Sequence, residues 1–269
     1  MTAFDKSERL IWADRAQAYA NSFARLCAHP VPVLLDAAAV GDGARVLDVG
    51  TGPGAAAAAA CARGAKVTAV DAEPSMVRLA ARSAPDADVR LAALPDLPFA
   101  DGEFDAVVSN FVLNHVGRPR AAAAELRRVT RAGGRVALTI WAAPPAAGQT
   151  LIGRAMEAAG VTRPAHLPAL DPEEDLPRTT DGLAELLRAA DLREVRCELL
   201  TWDHQATAED WWAGPASGVA CVGHLLTSQS PEVIAEARRH YDLLSGEFAG
   251  PDGTLSLPHA ALLAHGRVE

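Results

Sequence analysis

The chain of 269 residues carries 25 basic and 34 acidic side chains, which gives a formal net charge of −9, and 49% of its residues are hydrophobic. This length allows a full core and favours one enlarged domain, whereas the scattered basic residues argue against a nucleic-acid partner, because phosphate contacts need clustered Lys and Arg. No apolar run reaches the ~20 residues that cross a bilayer, and the start has no signal-peptide core, so the sequence predicts a cytoplasmic protein without a membrane partner.

The pattern of residues 5–40 predicts two helices ahead of any strand. Trp12, Tyr19, Phe23 and Leu26 fall roughly on one helical face, which is the pattern of a buried stripe. A helix in this position has no place in a sheet. It can pack on an edge of the domain, or it can lie across a ligand cleft as a lid, and both interpretations stay open at this point.

A glycine-rich loop follows the first predicted strand. The apolar run at residues 45–49 ends in Gly50, Gly52 and Gly54, and an alanine-rich helix is predicted over residues 55–62. Glycine reaches backbone angles closed to other residues and lets a ligand approach the main chain. The free N–H groups of the next helix then face that ligand. The pattern indicates a cofactor loop at the carboxyl end of the first parallel strand.

The spacing of this loop narrows the class of cofactor. A dinucleotide fingerprint is Gly-x-Gly-x-x-Gly, and here the third glycine is displaced; a P-loop would need Gly-Lys-Ser/Thr at its end. Asp48 stands two residues before the first glycine and suits a ligand with an ammonium group. The stretch Val46-Leu-Asp-Val-Gly-Thr-Gly-Pro-Gly54 resembles motif I of the class I S-adenosylmethionine-dependent methyltransferases. The resemblance implies that Gly50, Thr51, Gly52 and Gly54 contact the methionine part of the cofactor, and that Asp48 helps hold its amino group.

A second acid ends the next predicted strand. Asp71 closes the run at residues 66–71, about twenty residues past the loop, where the ribose hydroxyls of an adenosine ligand should lie. A carboxylate can accept from both hydroxyls. The alternative is that Asp71 only caps the helix that begins near Pro74. Ribose binding is favoured, and Ala72 and Met76 are predicted to line the cofactor site beside it.

A helix over residues 74–83 and a short strand over residues 89–91 repeat the strand-helix-strand pattern of a parallel sheet. The segment that follows resembles the stretch before the fourth strand of the family, which often carries an acid for the adenine amino group. In this chain that position is Ala93, with Leu94 beside it. Adenine is therefore expected to contact apolar walls and backbone N–H groups, or Asp96 if the loop bulges.

Polar side chains follow the fourth predicted strand, at residues 104–110. Ligands of open parallel sheets bind beyond the carboxyl ends of the strands, near the point where strand order reverses. Asn110 is therefore predicted to be a cofactor residue, and Asn114 and His115 are predicted catalytic residues. The alternative for His115 is a structural role, which is the commoner one for a single His after a strand.

The remaining pattern completes an α/β fold. It predicts a Rossmann-like, doubly wound, seven-stranded sheet that is mostly parallel, with an antiparallel last strand, N-terminal helices and helical insertions over the cleft. Further predicted elements are a helix at 118–131 capped by Gly133 and Gly134, strands at 135–141, 195–202 and 257–268, a short helix near 153–159, a helix at 180–190, and largely helical chain at 209–249. The single domain divides into an N-terminal lid at 1–40, a cofactor-binding core at 41–141, and substrate-side insertions at 142–178 and 204–249.

Aromatic and basic residues of the lid and insertions are the candidates for contacting substrate. They are Trp12, Arg15, Trp141, His204, Trp211 and His224, and Tyr19 is added to the cofactor site. The family commonly covers its cofactor with such an N-terminal segment, which favours the lid. For Trp211 the simpler alternative is burial in the local core.

The resemblance, carried by motifs over residues 40–141, implies an S-adenosylmethionine-dependent methyltransferase that releases S-adenosylhomocysteine. Its acceptor would be O, N or C of a small molecule, in biosynthesis, and a homodimer is compatible with this class. Cys27, Cys61, Cys197 and Cys221 form no close pairs, so no metal is predicted. One alternative is an enzyme of the same fold that uses the cofactor for a non-methylating step, and a less favoured one is a nicotinamide-dependent oxidoreductase.

Overall fold

A seven-stranded sheet forms the centre of the computed structural model, which describes residues 1–164 and 167–269. The strands lie in the order β3-β2-β1-β4-β5-β7-β6. Their bounds are β1 Arg45–Val49, β2 Lys66–Asp71, β3 Asp88–Leu91, β4 Phe104–Asn110, β5 Thr130–Trp141, β6 Arg193–Ala206 and β7 Leu255–Arg267. The neighbours from β3 to β5 are parallel, and β7 is antiparallel to both β5 and β6. The predicted fold class is confirmed.

Helices cover both faces of this sheet. They are α1 Ala3–Trp12, α2 Ala16–Ala20, α3 Ala24–Ala28, α4 Val31–Ala37, α5 Ala55–Ala62, α6 Pro74–Ser83, α7 Pro119–Val129, α8 Ala147–Ala158, α9 Thr180–Ala189, α10 Ala208–Ala216, α11 Ala220–Thr227 and α12 Pro231–Ser245. Within the described residues, none of them is both long and apolar enough to cross a membrane.

Alternate side chains of the strands separate the core into two layers. Leu47 of β1 packs with Leu126 of α7 and Leu187 of α9 on one face, whereas Val46 packs with Leu34 of α4 on the other. This alternation follows from the two-residue period of a strand. A third apolar cluster, under α8, α10 and α12, covers the part of the sheet built from β6 and β7.

Several predicted boundaries were wrong. The N-terminal segment forms four short helices rather than two, and α8 is a full helix where a short one was predicted. Gly133 and Gly134 do not cap α7, because that helix already ends at Val129 and both glycines lie within β5, at a register shift against β4. The sixth strand extends four residues past the predicted end at Trp202, since β7 pairs with it as far as Ala206.

The first helix is fixed to the loop after β4 rather than to the sheet. Thr2 and Asp5 form a capping box, in which the Asp5 backbone N–H donates to Thr2 Oγ1 at 3.1 Å. The Asp5 carboxylate accepts from the Thr2 N–H through Oδ2 and from the Gly117 N–H through Oδ1, both at 2.7 Å. Ile11, on the same helix, is buried. These contacts hold α1 across the carboxyl end of β4.

Candidate functional site

One cavity of about 970 Å³ lies beyond the carboxyl ends of the parallel strands. Its wall includes residues from the glycine loop, the end of β2, the loop after β3, the loop after β4 and the N-terminal helices. Of the predicted site residues, those on this wall are Trp12, Tyr19, Gly50, Gly52, Asp71, Ala72, Met76, Ala93, Leu94, Asn110, Asn114, His115, Trp141 and Trp211. The fold therefore brings together residues that are up to 200 positions apart.

The three glycines of the loop meet different requirements. All have positive φ, at 72° for Gly50, 54° for Gly52 and 95° for Gly54. A Cβ on Gly50 would stand 2.3 Å from a methyl carbon of Val112, and one on Gly54 would stand 3.1 Å from the Cα of Ala80. A Cβ on Gly52 would meet only the Tyr19 ring, at 3.7 Å. Gly50 and Gly54 are thus needed for packing, whereas Gly52 keeps its backbone open toward the cavity.

Asp48 and Thr51 lie behind this loop and not on the cavity wall. Thr51 donates its hydroxyl to Asp48 Oδ2 at 2.6 Å, while Asp48 Oδ1 is buried without a partner among the described residues. Burial raises the pKa of Asp48 to about 6 from its ordinary value of 3.8. Asp48 therefore reaches a ligand only through the loop, by its charge or by a bridging group.

Asp71 serves the loop and the following helix at the same time. Its Oδ2 accepts from the Gly52 N–H at 2.8 Å, and its Oδ1 accepts from the Glu73 N–H at 2.9 Å. Burial raises its pKa. Asp71 therefore does contact the backbone just before α6, as the helix-cap alternative predicted. The side chain that caps the helix itself is Glu73, which accepts from the Ser75 N–H. Each carboxylate oxygen has a second lone pair, so these bonds leave capacity for a ligand on the cavity wall.

Ala93 and Leu94 contribute an apolar part of the wall next to Asp71. The loop turns back on itself here, because the Asp96 N–H donates to the Ala93 carbonyl at 3.2 Å. Asp96 also lines the cavity. The loop therefore has the predicted apolar surface, and Asp96, which was the alternative partner for adenine, lies on the same wall.

His115 is held by Glu8, a residue that the sequence did not suggest. Its Nδ1 lies 2.7 Å from Glu8 Oε2, and Glu8 is only 9% exposed. Because a carboxylate accepts, Nδ1 carries the hydrogen and Nε2 is the nitrogen left for another partner. The Trp12 ring packs edge-on against the imidazole at 5.2 Å and against Tyr19 at 5.3 Å. Asp5 and Glu8 lie on the inner face of α1 with Ile11 and Trp12, and an acid at this buried spacing was the available signal for Glu8.

The two asparagines after β4 differ in how their amides are used. Asn110 donates to the Cys27 carbonyl and accepts from the Thr139 hydroxyl, both at 2.7 Å. This amide thereby ties α3 and β5 to the end of β4. The amide oxygen of Asn114 is buried and has no partner among the described residues.

Three of the six predicted substrate residues do not line the cavity. Arg15 is exposed at the start of α2, and His204 and His224 also lie outside the wall. His204 instead packs against Trp211, with ring centroids 5.4 Å apart. His259 of β7 was not predicted from the sequence; it lies on the cavity wall although it is almost fully buried.

Part of the chain is similar in sequence to known methyltransferases. A family model described as a methyltransferase domain matches residues 47–138. A demethylmenaquinone methyltransferase of Renibacterium salmoninarum is 37% identical over 112 residues, which is 42% of this chain and 47% of that protein. The chain thus matches about half the length of this relative.

Two solved structures share the fold at 20% identity. The YcgJ protein of Bacillus subtilis aligns with a TM-score of 0.57, over 90% of this chain and 98% of its own. The [4+2]-cyclase SpnF aligns with a TM-score of 0.53, over 90% of this chain and 80% of its own. The family model, the glycine loop and the sheet order agree, so residues 47–138 have the sequence pattern and the strand order of a class I methyltransferase core.

Proposed function

We propose that the protein transfers a methyl group from S-adenosylmethionine to O, N or C of a small molecule and releases S-adenosylhomocysteine. The observation that carries this proposal is Asp71, a half-buried carboxylate on the cavity wall that also accepts from the Gly52 N–H at 2.8 Å. The same carboxylate that contacts the glycine loop can therefore accept hydrogen bonds from the hydroxyls of a ribose. The name of the relative from Renibacterium salmoninarum supports methyl transfer as the reaction.

The residues around the cavity fit this cofactor. Gly52 leaves its backbone accessible, Asp71 has lone pairs for a diol, and Ala93 with Leu94 offers an apolar wall for adenine. The buried charge of Asp48 behind the loop favours a cationic amino group. The cofactor supplies an activated methyl on a sulfonium, whose bond to sulfur breaks as the bond to the nucleophile forms. The protein therefore acts mainly by alignment.

His115 would be the general base for a hydroxyl acceptor. Its Nε2 would take the proton, and Glu8 would hold the ring by Nδ1 and stabilise the imidazolium that forms. Asn114 lies one residue away on the same wall. An amine or an activated carbon needs no such base. In this proposal residues 1–40 act as the lid, because α1 supplies both Glu8 and Trp12.

The second candidate is a non-methylating enzyme that keeps the same cofactor. It is favoured by the likeness in fold to a [4+2]-cyclase. Such an enzyme would keep its substrate away from the methyl group. A nicotinamide-dependent oxidoreductase remains disfavoured by the displaced third glycine.

Calorimetry tests the cofactor. S-adenosylhomocysteine should bind in the micromolar range, about −8 kcal/mol, and NAD should not bind. Asp71→Ala should weaken S-adenosylhomocysteine by roughly 1.5–3 kcal/mol, the usual range for hydrogen bonds to a charged group. Asp71→Asn keeps one carbonyl oxygen for the loop, so its affinity for S-adenosylhomocysteine should lie between those of wild type and Asp71→Ala. Asp88→Ala, an exposed acid on β3, is the matched control and should leave the affinity unchanged.

Unchanged affinity in a folded Asp71→Ala variant would reduce Asp71 to a helix cap. Tight NAD binding without a response to either sulfur cofactor would overturn the proposed function.

A further inference from the structure

An aromatic chamber forms the part of the cavity next to β5, β6 and β7. It consists of Phe111, Trp141, Trp202, Trp211 and His259. Phe111 stacks on Trp141 with ring centroids 4.1 Å apart, and Trp141 is followed by Trp202 at 6.0 Å. The His259 ring lies 5.4 Å from Trp211 and 5.9 Å from Trp202. All except Trp202 are on the cavity wall.

The register of the antiparallel strands places these rings on one face of the sheet. Trp141 stands opposite Ala261, and Trp202 stands opposite His259. Residues 259 and 261 are two apart on β7, so their side chains point to the same side. Trp211 of α10 then covers the rings from above the sheet.

His259 presents a hydrogen-bond acceptor inside this apolar chamber. Its Nδ1 lies 2.7 Å from the Leu257 carbonyl, which can only accept, so the hydrogen is on Nδ1. Within the described residues, the other ring nitrogen, Nε2, has no hydrogen-bond partner. It is also not fully buried, so a ligand can reach it. Burial lowers the pKa of His259 to about 4, which keeps the ring neutral at pH 7. A lone pair is thus left for a molecule in the cavity.

The charges on the wall argue against a cationic occupant of the chamber. The acids that line the cavity in the described residues are Asp5, Glu8, Asp71, Glu73 and Asp96. They belong to α1, to the end of β2 and to the loop after β3. The elements that build the chamber contribute none of them, so a cation there would have aromatic faces but no counter-charge.

We propose that the aromatic chamber binds a planar aromatic ring of the substrate, and that His259 Nε2 accepts a hydrogen bond from a hydroxyl group on that ring. The proposal rests on the proposed function and specifies its substrate class as hydroxylated aromatic compounds. Stacked and edge-on ring contacts supply affinity. The Nε2 acceptor supplies selectivity, because a ring without a donor leaves it unpaired.

The test compares two probes of nearly equal shape by calorimetry, with and without saturating S-adenosylhomocysteine. The probes are 2-naphthol, which can donate to Nε2, and 2-methoxynaphthalene, which cannot. Wild-type protein should bind 2-naphthol about fivefold or more tightly, as one net hydrogen bond allows. In His259→Phe, which keeps a ring of similar size, the two affinities should become equal, while S-adenosylhomocysteine binding stays within twofold of wild type. His265→Phe, on the same strand but away from the cavity, should keep the discrimination.

Equal affinities for the two probes on wild-type protein would overturn the proposal without any variant, and so would discrimination that survives in His259→Phe. Tighter binding of 2-naphthyltrimethylammonium than of 2-naphthol would make the chamber a cation site and would overturn it as well. The measurement without S-adenosylhomocysteine tests the aromatic chamber independently of the proposed methyl transfer. If the sulfur cofactor does not bind but 2-naphthol is still preferred, the proposed function fails while the chamber stands.

Discussion

Replacing Asp48 with Asn should change how the free energy of unfolding depends on pH. Burial raises the pKa of Asp48 from 3.8 to about 6, so the folded protein holds this proton more tightly than the unfolded chain does. Ionising Asp48 therefore destabilises the fold. At 1.36 kcal/mol per pKa unit, the destabilisation approaches 3 kcal/mol well above pH 6, falls to about 1.5 kcal/mol at pH 5, and vanishes below pH 3.8. Asn keeps an oxygen for the Thr51 hydroxyl and cannot ionise.

Urea denaturation at pH 5 and pH 8, followed by tryptophan fluorescence, measures this effect. The free energy of unfolding of Asp48→Asn minus that of wild type should be about 1.5 kcal/mol larger at pH 8 than at pH 5. Any constant cost of the substitution cancels in this comparison. Asp203→Asn, at an exposed position on the edge strand β6, should give the same difference at both pH values. A pH-independent difference for Asp48→Asn, or one that grows toward pH 5, would refute the burial argument.

Two further changes test the lid and the base. Deleting residues 1–20 should weaken S-adenosylhomocysteine binding but leave the sheet folded, since β1 begins only at Arg45; calorimetry and circular dichroism decide this, and loss of the fold would favour a packing role instead. His115→Ala should lower methyl transfer to a hydroxyl acceptor by about a hundredfold, with cofactor affinity nearly intact. Glu8→Gln should lower it less and shift its pH profile, in an assay with labelled S-adenosylmethionine and a panel of phenols. Normal turnover with weakened cofactor binding would place His115 in the cofactor wall.

The glycine loop and Asp71 on the cavity wall could be predicted because their signals are local in sequence. Gly50, Gly52 and Gly54 stand at positions where the backbone needs positive φ or a close approach. Asp71 ends the next parallel strand, and neighbouring parallel strands end at the same edge of a sheet. The pattern of one strand and one loop therefore located these residues without knowledge of the tertiary structure.

The partner of His115 could not be predicted in the same way. Glu8 precedes it by 107 residues, and their 2.7 Å contact depends on how α1 crosses the end of β4. The contact between Asp5 and the Gly117 backbone sets that crossing, and the hydrophobic periodicity of the sequence does not predict this contact. Similarly, Arg15, His204 and His224 were plausible by residue type, yet the path of the chain places them outside the wall.

His259 was missed for a more specific reason, which also bears on substrate choice. The sequence predicted a closing antiparallel strand over residues 257–268, but the neighbours of a strand and its register are not encoded in its own pattern. A slip of one residue would turn every side chain of β7 to the opposite face. His259 pairs with Trp202, and Ala261 pairs with Trp141, so strand order and register together assemble the aromatic chamber. Because β7 and its register lie outside the matched residues 47–138, relatives that share the cofactor core can differ at this end of the cavity. Likeness in the core therefore does not fix this end of the cavity, and the His259 experiment tests the proposal that it binds the acceptor.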